Sequence, residues 1–324
     1  MAGNGKHRLL ADHIQAVSSV EEALAHLAAH RGNARLIAGG TVLTPRIERG
    51  ECTATHLVDI SRVCAMRRIA LADEHVVIGG AVTLAALVES AVVRAHVPML
   101  YEAALAVEGD EVRAAATLVG RMVAAEGSAE GSVALVALDA EAQIANLTGS
   151  QWMPVASLFV RSGVSRVDST AEIVTAVRVP ALGSCCGTAI GWIERPGPQQ
   201  PSPLVLALVL GLTPDRDAVR WGAVAMGTET GIPAHVGAAE EALAGAPLAD
   251  PNTRERVARL IAAAGADAAC RTDADSHITA TQRIDESSRD SVRQMILRLA
   301  QGCYDQALAA AMAGGASGDG HQAP

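Results

Sequence analysis

This chain is poor in aromatic side chains: three tryptophans, two tyrosines and one phenylalanine in 324 residues. Alanine, valine and leucine must therefore fill its core, and little material is left for an aromatic lid over a planar ligand or a stacking platform for bases. Basic clusters are missing too. The net charge is −9 with a pI near 5.6, and no Lys/Arg stripe is interleaved with aromatics, which argues against a nucleic-acid partner. The longest apolar run, Leu204 to Leu212, is about half of what a bilayer span needs and reads as a buried strand or helix. Met1 to Leu10 carries Lys6, His7 and Arg8 but no apolar stretch of a secretory signal, so the expected location is cytoplasmic. The six cysteines, at 52, 64, 185, 186, 270 and 303, show no CxxC pair and no His/Cys metal spacing, and read as buried thiols of a reducing compartment. Adjacent Cys185 and Cys186 read as packing residues, because neighbours in sequence rarely close an unstrained disulfide. There is no HExxH motif, no nucleophilic triad and no internal repeat.

What is present begins with Ala34-Arg35-Leu36-Ile37-Ala38-Gly39-Gly40-Thr41, a short apolar run ending in paired glycines and a hydroxyl. It reads as a buried strand feeding a tight turn. Such a turn is either a plain reversal or a place where backbone N–H groups close on an anion. Ahead of it, residues 17 to 31 read as a helix, with Ser18 or Ser19 as N-cap, Glu21 and Glu22 in the first turn, and apolar spacing at Ala23, Leu24 and Leu27. His26 and His30, one turn apart on it, are either a solvated face or half of a metal site.

A first α/β lobe is expected to about residue 60. Strands at Arg68 to Leu71, Val76 to Gly79 and Ala142 to Leu147 then alternate with helices at Thr83 to Glu89, Pro98 to Ala106 and Ser132 to Leu138, giving a second lobe to 172. From 173 to 311 the pattern shifts to long strands, at Ile173 to Val179, Thr188 to Glu194 and Val219 to Gly227. Helices follow at Ala238 to Ala244, Thr253 to Ala264 and Ser287 to Ala311. Arg195 to Pro203 is a Pro-dense loop, and 312–324 is expected to be a disordered tail.

The strand and turn at Leu36 to Thr41, then Leu57 to Val63, Val76 to Leu84, Val112 to Arg121 and Leu135 to Gln143, resemble the flavin-binding medium subunit of molybdenum hydroxylases, the xanthine dehydrogenase and carbon monoxide dehydrogenase family. The resemblance runs on through Trp152 to Phe159, Glu172 to Pro180 and Arg220 to Gly245, and covers roughly residues 8 to 308. It implies an α+β fold: a two-lobed FAD-binding domain of the PCMH type over 8–172, with lobes about 8–60 and 61–172, then a carboxyl-terminal domain of antiparallel sheet plus helices. It also implies an electron-transfer role for FAD between iron–sulfur clusters and an acceptor. The partners it implies are a molybdenum-cofactor large subunit and a small subunit with two [2Fe–2S] clusters, for which this chain has no ligands of its own.

The same resemblance places Ala38, Gly39, Gly40, Thr41, Val42 and Leu43 on the FAD diphosphate from one lobe, and Thr117 and Gly120 from the other. Several positions depart from the family pattern. Val119 stands where the family has a glycine, and Arg121 where it has an asparagine; Arg121 is either a charge-assisted donor to the diphosphate or a solvated surface arginine. Ala114 replaces an asparagine, Glu130 takes the place of the aspartate near the flavin, and Trp192 is either a ring-stacking or a core residue. Two readings stay open: an FAD-binding electron-transfer subunit, or a divergent scaffold subunit with weak or no FAD binding.

Overall fold

The computed structural model describes residues 13–193, 204–229, 231–270 and 286–313; the Pro-dense loop from 195 and the tail from 314 lie outside them. The first lobe comprises β1 (His13–Ala16), α1 (Val20–His30), β2 (Ala34–Ile37), α2 (Leu43–Glu48) and β3 (His56–Asp59), with parallel sheet order β1-β3-β2. Ser19 caps α1: its hydroxyl accepts the Glu22 N–H at 3.1 Å, and the Glu22 carboxylate accepts the Ser18 N–H at 2.8 Å. The helix lays Ala23, Leu24 and Leu27 into a small core with Val17, Val58 and Ile60. His26 and His30 join His56 and His13 in a row of rings with successive centroids 6.4, 3.8 and 5.1 Å apart. Among the described residues, no group of three or more His, Cys, Asp or Glu is placed to hold a metal ion.

The second lobe contains β4 (Ile69–Ala72), β5 (His75–Gly79), α3 (Leu84–Glu89), α4 (Ala91–His96), α5 (Pro98–Leu105), α6 (Asp110–Ala115), α7 (Leu118–Val123), α8 (Glu130–Ala137), β6 (Glu141–Asn146), β7 (Gly149–Pro154), β8 (Phe159–Arg161), β9 (Val164–Ser165) and β10 (Ile173–Pro180). Its main sheet is antiparallel, in the order β4-β5-β10-β6-β7. The strand expected to open the carboxyl-terminal domain, β10, is thus the middle strand of this sheet. Both its edges are hydrogen-bonded, to β5 and to β6, so the expected boundary at 172 falls inside a sheet. Leu87, Met99, Leu100, Val133 and Leu135 from α3, α5 and α8 fill the core beside it.

The remaining unit is β11 (Cys186–Ile193), β12 (Leu204–Leu212), β13 (Val219–Thr228), β14 (Ala234–His235), α9 (Gly237–Leu243), α10 (Thr253–Cys270) and α11 (Glu286–Ala313), the strands forming one antiparallel sheet in chain order. The long apolar run is β12, buried along its whole length. Leu204, Leu206, Leu208 and Leu210 join the core under the helices, while Val205, Ala207 and Val209 join the core of the second lobe. A strand covered on both faces has no polar alternation to display. α11 runs two residues into the expected tail. The architecture is α+β, and among the described residues no helix is long and apolar enough to cross a membrane.

Candidate functional site

A cleft of about 210 Å³ lies between the first two lobes. One wall is the turn between β2 and α2, where Ala38, Gly39, Gly40, Thr41, Val42 and Leu43 all line the cavity. Gly40 takes φ +68°, in the left-handed region that disfavours any side chain. At Gly39 the constraint is space: a Cβ there would lie 1.8 Å from the Ala115 carbonyl oxygen, so the turn of one lobe rests on the backbone of the other. Val42, the N-cap of α2, makes no side-chain cap. Among the described residues, the N–H groups of Gly39 through Leu43 donate to no acceptor. Five successive backbone donors on a concave turn are suited to an anion.

The opposite wall carries Thr117, Val119, Gly120 and Arg121. Here three of the backbone donors are used. Thr117 caps α7, its Oγ1 accepting the Gly120 N–H at 3.0 Å and its carbonyl the Arg121 N–H at 3.1 Å, while the Leu118 N–H reaches the Val82 carbonyl at 3.3 Å. Val119 is buried in the core of the lobe and presents its isopropyl group to the cleft. Arg121 is no solvated arginine: its side chain is 20% exposed and its Nη2 stands 3.5 Å from Oε2 of Glu130. Glu130 opens α8 and does not line the cleft itself; it meets the site through Arg121.

Other singled-out residues lie elsewhere. Arg113 donates to the Val107 carbonyl at 2.6 Å and pairs with Asp110, tying down the start of α6, and neither it nor Ala114 lines the cleft. Trp192 sits 41% exposed on β11, so it neither fills a core nor faces the cavity. Conversely, the cleft wall includes Arg35, Arg46, Ser169 and Glu172 through Val174, which sequence reasoning missed. Arg46 follows the glycine turn within one helical turn, a spacing that was available as a signal. The Ser169 to Val174 wall carried none, since it is brought in by the pairing of β10. Arg35 donates to the Gly32 and Ala34 carbonyls at 2.6 and 2.8 Å, and Arg46 to the Gly163 carbonyl at 3.3 Å. No histidine or cysteine lines the cavity; its polar side chains are three arginines, the hydroxyls of Thr41, Thr117 and Ser169, and the Glu172 carboxylate.

Residues 10–182 match the family described as FAD binding domain in molybdopterin dehydrogenase. The 6-hydroxypseudooxynicotine dehydrogenase complex subunit alpha of Paenarthrobacter nicotinovorans is 33% identical over 177 residues, 55% of this chain and 60% of that protein. The carbon monoxide dehydrogenase medium chain of Hydrogenophaga pseudoflava is 28% identical over 180 residues, 56% of this chain and 62% of the relative. The chain thus spans less than two thirds of the length of either. Among solved structures, carbon monoxide dehydrogenase from Hydrogenophaga pseudoflava matches with a TM-score of 0.78 at 23% identity, covering 93% of this chain and 98% of that one. Quinoline 2-oxidoreductase from Pseudomonas putida 86 matches at 0.76 and 21% identity with the same coverage, and at such identities the likeness shows the fold. With the family match extending over more than half of its length, the chain belongs to the FAD-binding domain family of the molybdopterin dehydrogenases.

Proposed function

We propose that this chain is the FAD-binding electron-transfer subunit of a molybdenum hydroxylase complex, passing electrons from iron–sulfur clusters to an acceptor. The observation that carries this reading is the row of uncommitted N–H groups from Gly39 to Leu43, set in the cleft between the two lobes of the family's FAD-binding domain. Ala38 through Leu43 would hold the diphosphate from the first lobe, with Thr117, Gly120 and Arg121 facing them and Glu130 behind. FAD, when bound, supplies redox chemistry that no side chain on these walls can. The chain's own residues bind and orient: Val119, Ile173 and Val174 give an apolar flank that keeps water from the backbone donors. At about 210 Å³ the cavity is smaller than the roughly 300–1,000 Å³ of typical ligand sites, so it encloses part of an extended dinucleotide and leaves the rest along the seam.

A flavin that passes electrons on needs a source of them. Its partners would be a molybdenum-cofactor large subunit and a small subunit carrying two [2Fe–2S] clusters, in the cytoplasm; two matched relatives are themselves called a complex subunit and a medium chain. The second reading, a scaffold subunit that binds FAD weakly or not at all, is favoured by one observation: the N–H groups of Leu118, Gly120 and Arg121 in the second turn are accepted inside its own lobe. A flavin absorption spectrum in the purified chain, with saturable FAD uptake, supports the first reading; a colourless chain that takes up no FAD supports the second. Tagged chain from its native host should elute with molybdenum and iron–sulfur subunits. Elution as a lone species that oxidises a small molecule unaided would overturn both.

A further inference from the structure

Three arginines reach the cleft, and two of them are engaged with carbonyls of the fold. Arg121 is different. Its only partner among the described residues is Glu130, at 3.5 Å, well beyond the about 2.7–2.9 Å of a charge-assisted hydrogen bond. Its Nε is buried with no hydrogen-bond partner, and so is Oε2 of Glu130. Both side chains are about four-fifths buried, at 20% and 21% exposure. A guanidinium carries five N–H donors in a planar fork, and a buried one that makes a single loose ion pair is left far from satisfied.

The position of this arginine matters as much as its unmet donors. On its own wall, the N–H groups of Leu118, Gly120 and Arg121 are all accepted within the lobe, so the second turn has little backbone to offer an anion. Facing it are the five uncommitted N–H groups of Gly39 to Leu43. An anion with several oxygens placed between these walls would meet donors on both sides, and a planar fork suits phosphate oxygens better than a single carboxylate oxygen at ion-pair range.

We propose that Arg121 is the second lobe's diphosphate ligand in this chain, and that Glu130 acts as a competing placeholder anion that FAD must displace. This rests on the FAD-binding reading above. The acidic group on the cleft wall, Glu172, already accepts the Asp168 N–H at 2.9 Å. It is not placed against Arg121 by any contact in the described residues.

The test is equilibrium binding of FAD and of riboflavin, which lacks the diphosphate, to the full chain and to Arg121→Gln, Arg121→Lys and Glu130→Gln. Arg121→Gln should weaken FAD at least tenfold and leave riboflavin within about twofold. It should also make FAD binding less sensitive to salt, because one screened charge contact is removed. Arg121→Lys, which keeps the charge without the fork, should fall between, and serves as the readout if the glutamine variant does not fold. Glu130→Gln should tighten FAD several-fold, because the competitor is gone. Equal losses for FAD and riboflavin would make Arg121 a ring contact or a purely structural residue and overturn the proposal. So would an unchanged FAD affinity in Arg121→Gln, or weaker binding in Glu130→Gln. A wild-type chain that takes up no FAD overturns the functional reading itself, whereas wild-type uptake that Arg121→Gln fully retains overturns this inference alone.

Discussion

Two turns face each other across one cleft, and they dispose of their backbone donors in opposite ways. Each follows a small-residue segment and opens a six-residue helix, α2 on one side and α7 on the other. On the first wall the N–H groups of Gly39 to Leu43 have no acceptor among the described residues, and Val42, the N-cap of α2, carries no side-chain acceptor. On the second, Thr117 is the N-cap of α7 and its hydroxyl takes the Gly120 N–H. A hydroxyl N-cap takes up a donor of its own helix; an apolar one takes up none. The second wall sets a side-chain donor, Arg121, and a packed valine, Val119, on the cleft.

The comparison breaks most violently at Gly39. Gly39→Ala places a methyl 1.8 Å from the Ala115 carbonyl, and neither backbone can yield without prising the lobes apart. A loss of about 3 kcal/mol or more in unfolding free energy is expected, together with loss of FAD uptake, since overpacking against backbone sits at the costly end of its range. A thermal melt within a degree of wild type would show that the two turns do not touch in solution.

At Val119 stability and binding should move in opposite directions. The side chain is 5% exposed, belongs to the core and lines the cleft. Val119→Ala should cost the apo chain about 1–2 kcal/mol through lost packing and tighten FAD several-fold by widening the wall. Denaturant melts and FAD titration on the same preparation separate the two effects; if FAD weakens too, the valine supports the cofactor rather than crowding it.

A finer probe converts the second turn toward the first. Thr117→Val keeps the shape of this 4%-exposed residue but removes the hydroxyl, releasing the Gly120 N–H. The lost cap should cost about 1 kcal/mol, the usual value for such a substitution. Stability measured with saturating FAD should recover part of that loss, because the freed donor gains an acceptor. An identical loss with and without FAD would mean that Gly120 does not face the bound anion.

How much of this was legible in the sequence differs between the same two regions. The first turn announced itself, because a glycine pair after a strand already signals the positive φ that Gly40 takes, although the approach of Ala115 that requires Gly39 comes from the other lobe. α1 was equally plain from Ser19, Glu22 and the spacing of Leu24 and Leu27. The second wall was only half visible. That Glu130 would meet Arg121 depends on where α7 and α8 end up in three dimensions, whereas the Thr117 cap is local and was open to the same reading as Ser19. The placement of β10 was missed for a similar reason: its apolar pattern says strand, but its partner β5 lies far back in the chain, and nothing in Ile173 to Pro180 names which sheet it will join. In β12, burial on both faces erased the period that distinguishes strand from helix.

The smallest expected effect concerns what braces the second lobe and leaves the first alone. Asp139, in the turn after α8, and Glu240, on α9, both approach His235: Oδ1 of Asp139 lies 3.4 Å from Nε2, and Oε1 of Glu240 lies 2.7 Å from Nδ1. The Glu240 oxygen also accepts the Val224 N–H at 2.8 Å, which holds it in place. Bonds to Asp139 first and Glu240 second outweigh burial and push the imidazole up to about 10, from an ordinary value near 6.5. A group whose folded pKa is raised favours the folded state while the unfolded chain is also protonated. The clamp's contribution is therefore complete below about pH 6.5 and fades as pH climbs from there to about 10. Asp139 is 74% exposed, so water screens half of the triad, and a contribution of about 1 kcal/mol is a fair expectation. The melting temperatures of wild type and His235→Gln should differ by a few degrees at pH 6 and converge toward pH 10, while FAD affinity stays the same in both, because His235 does not line the cleft. A gap in melting temperature that does not change with pH would mean that His235 holds the two units together by packing alone.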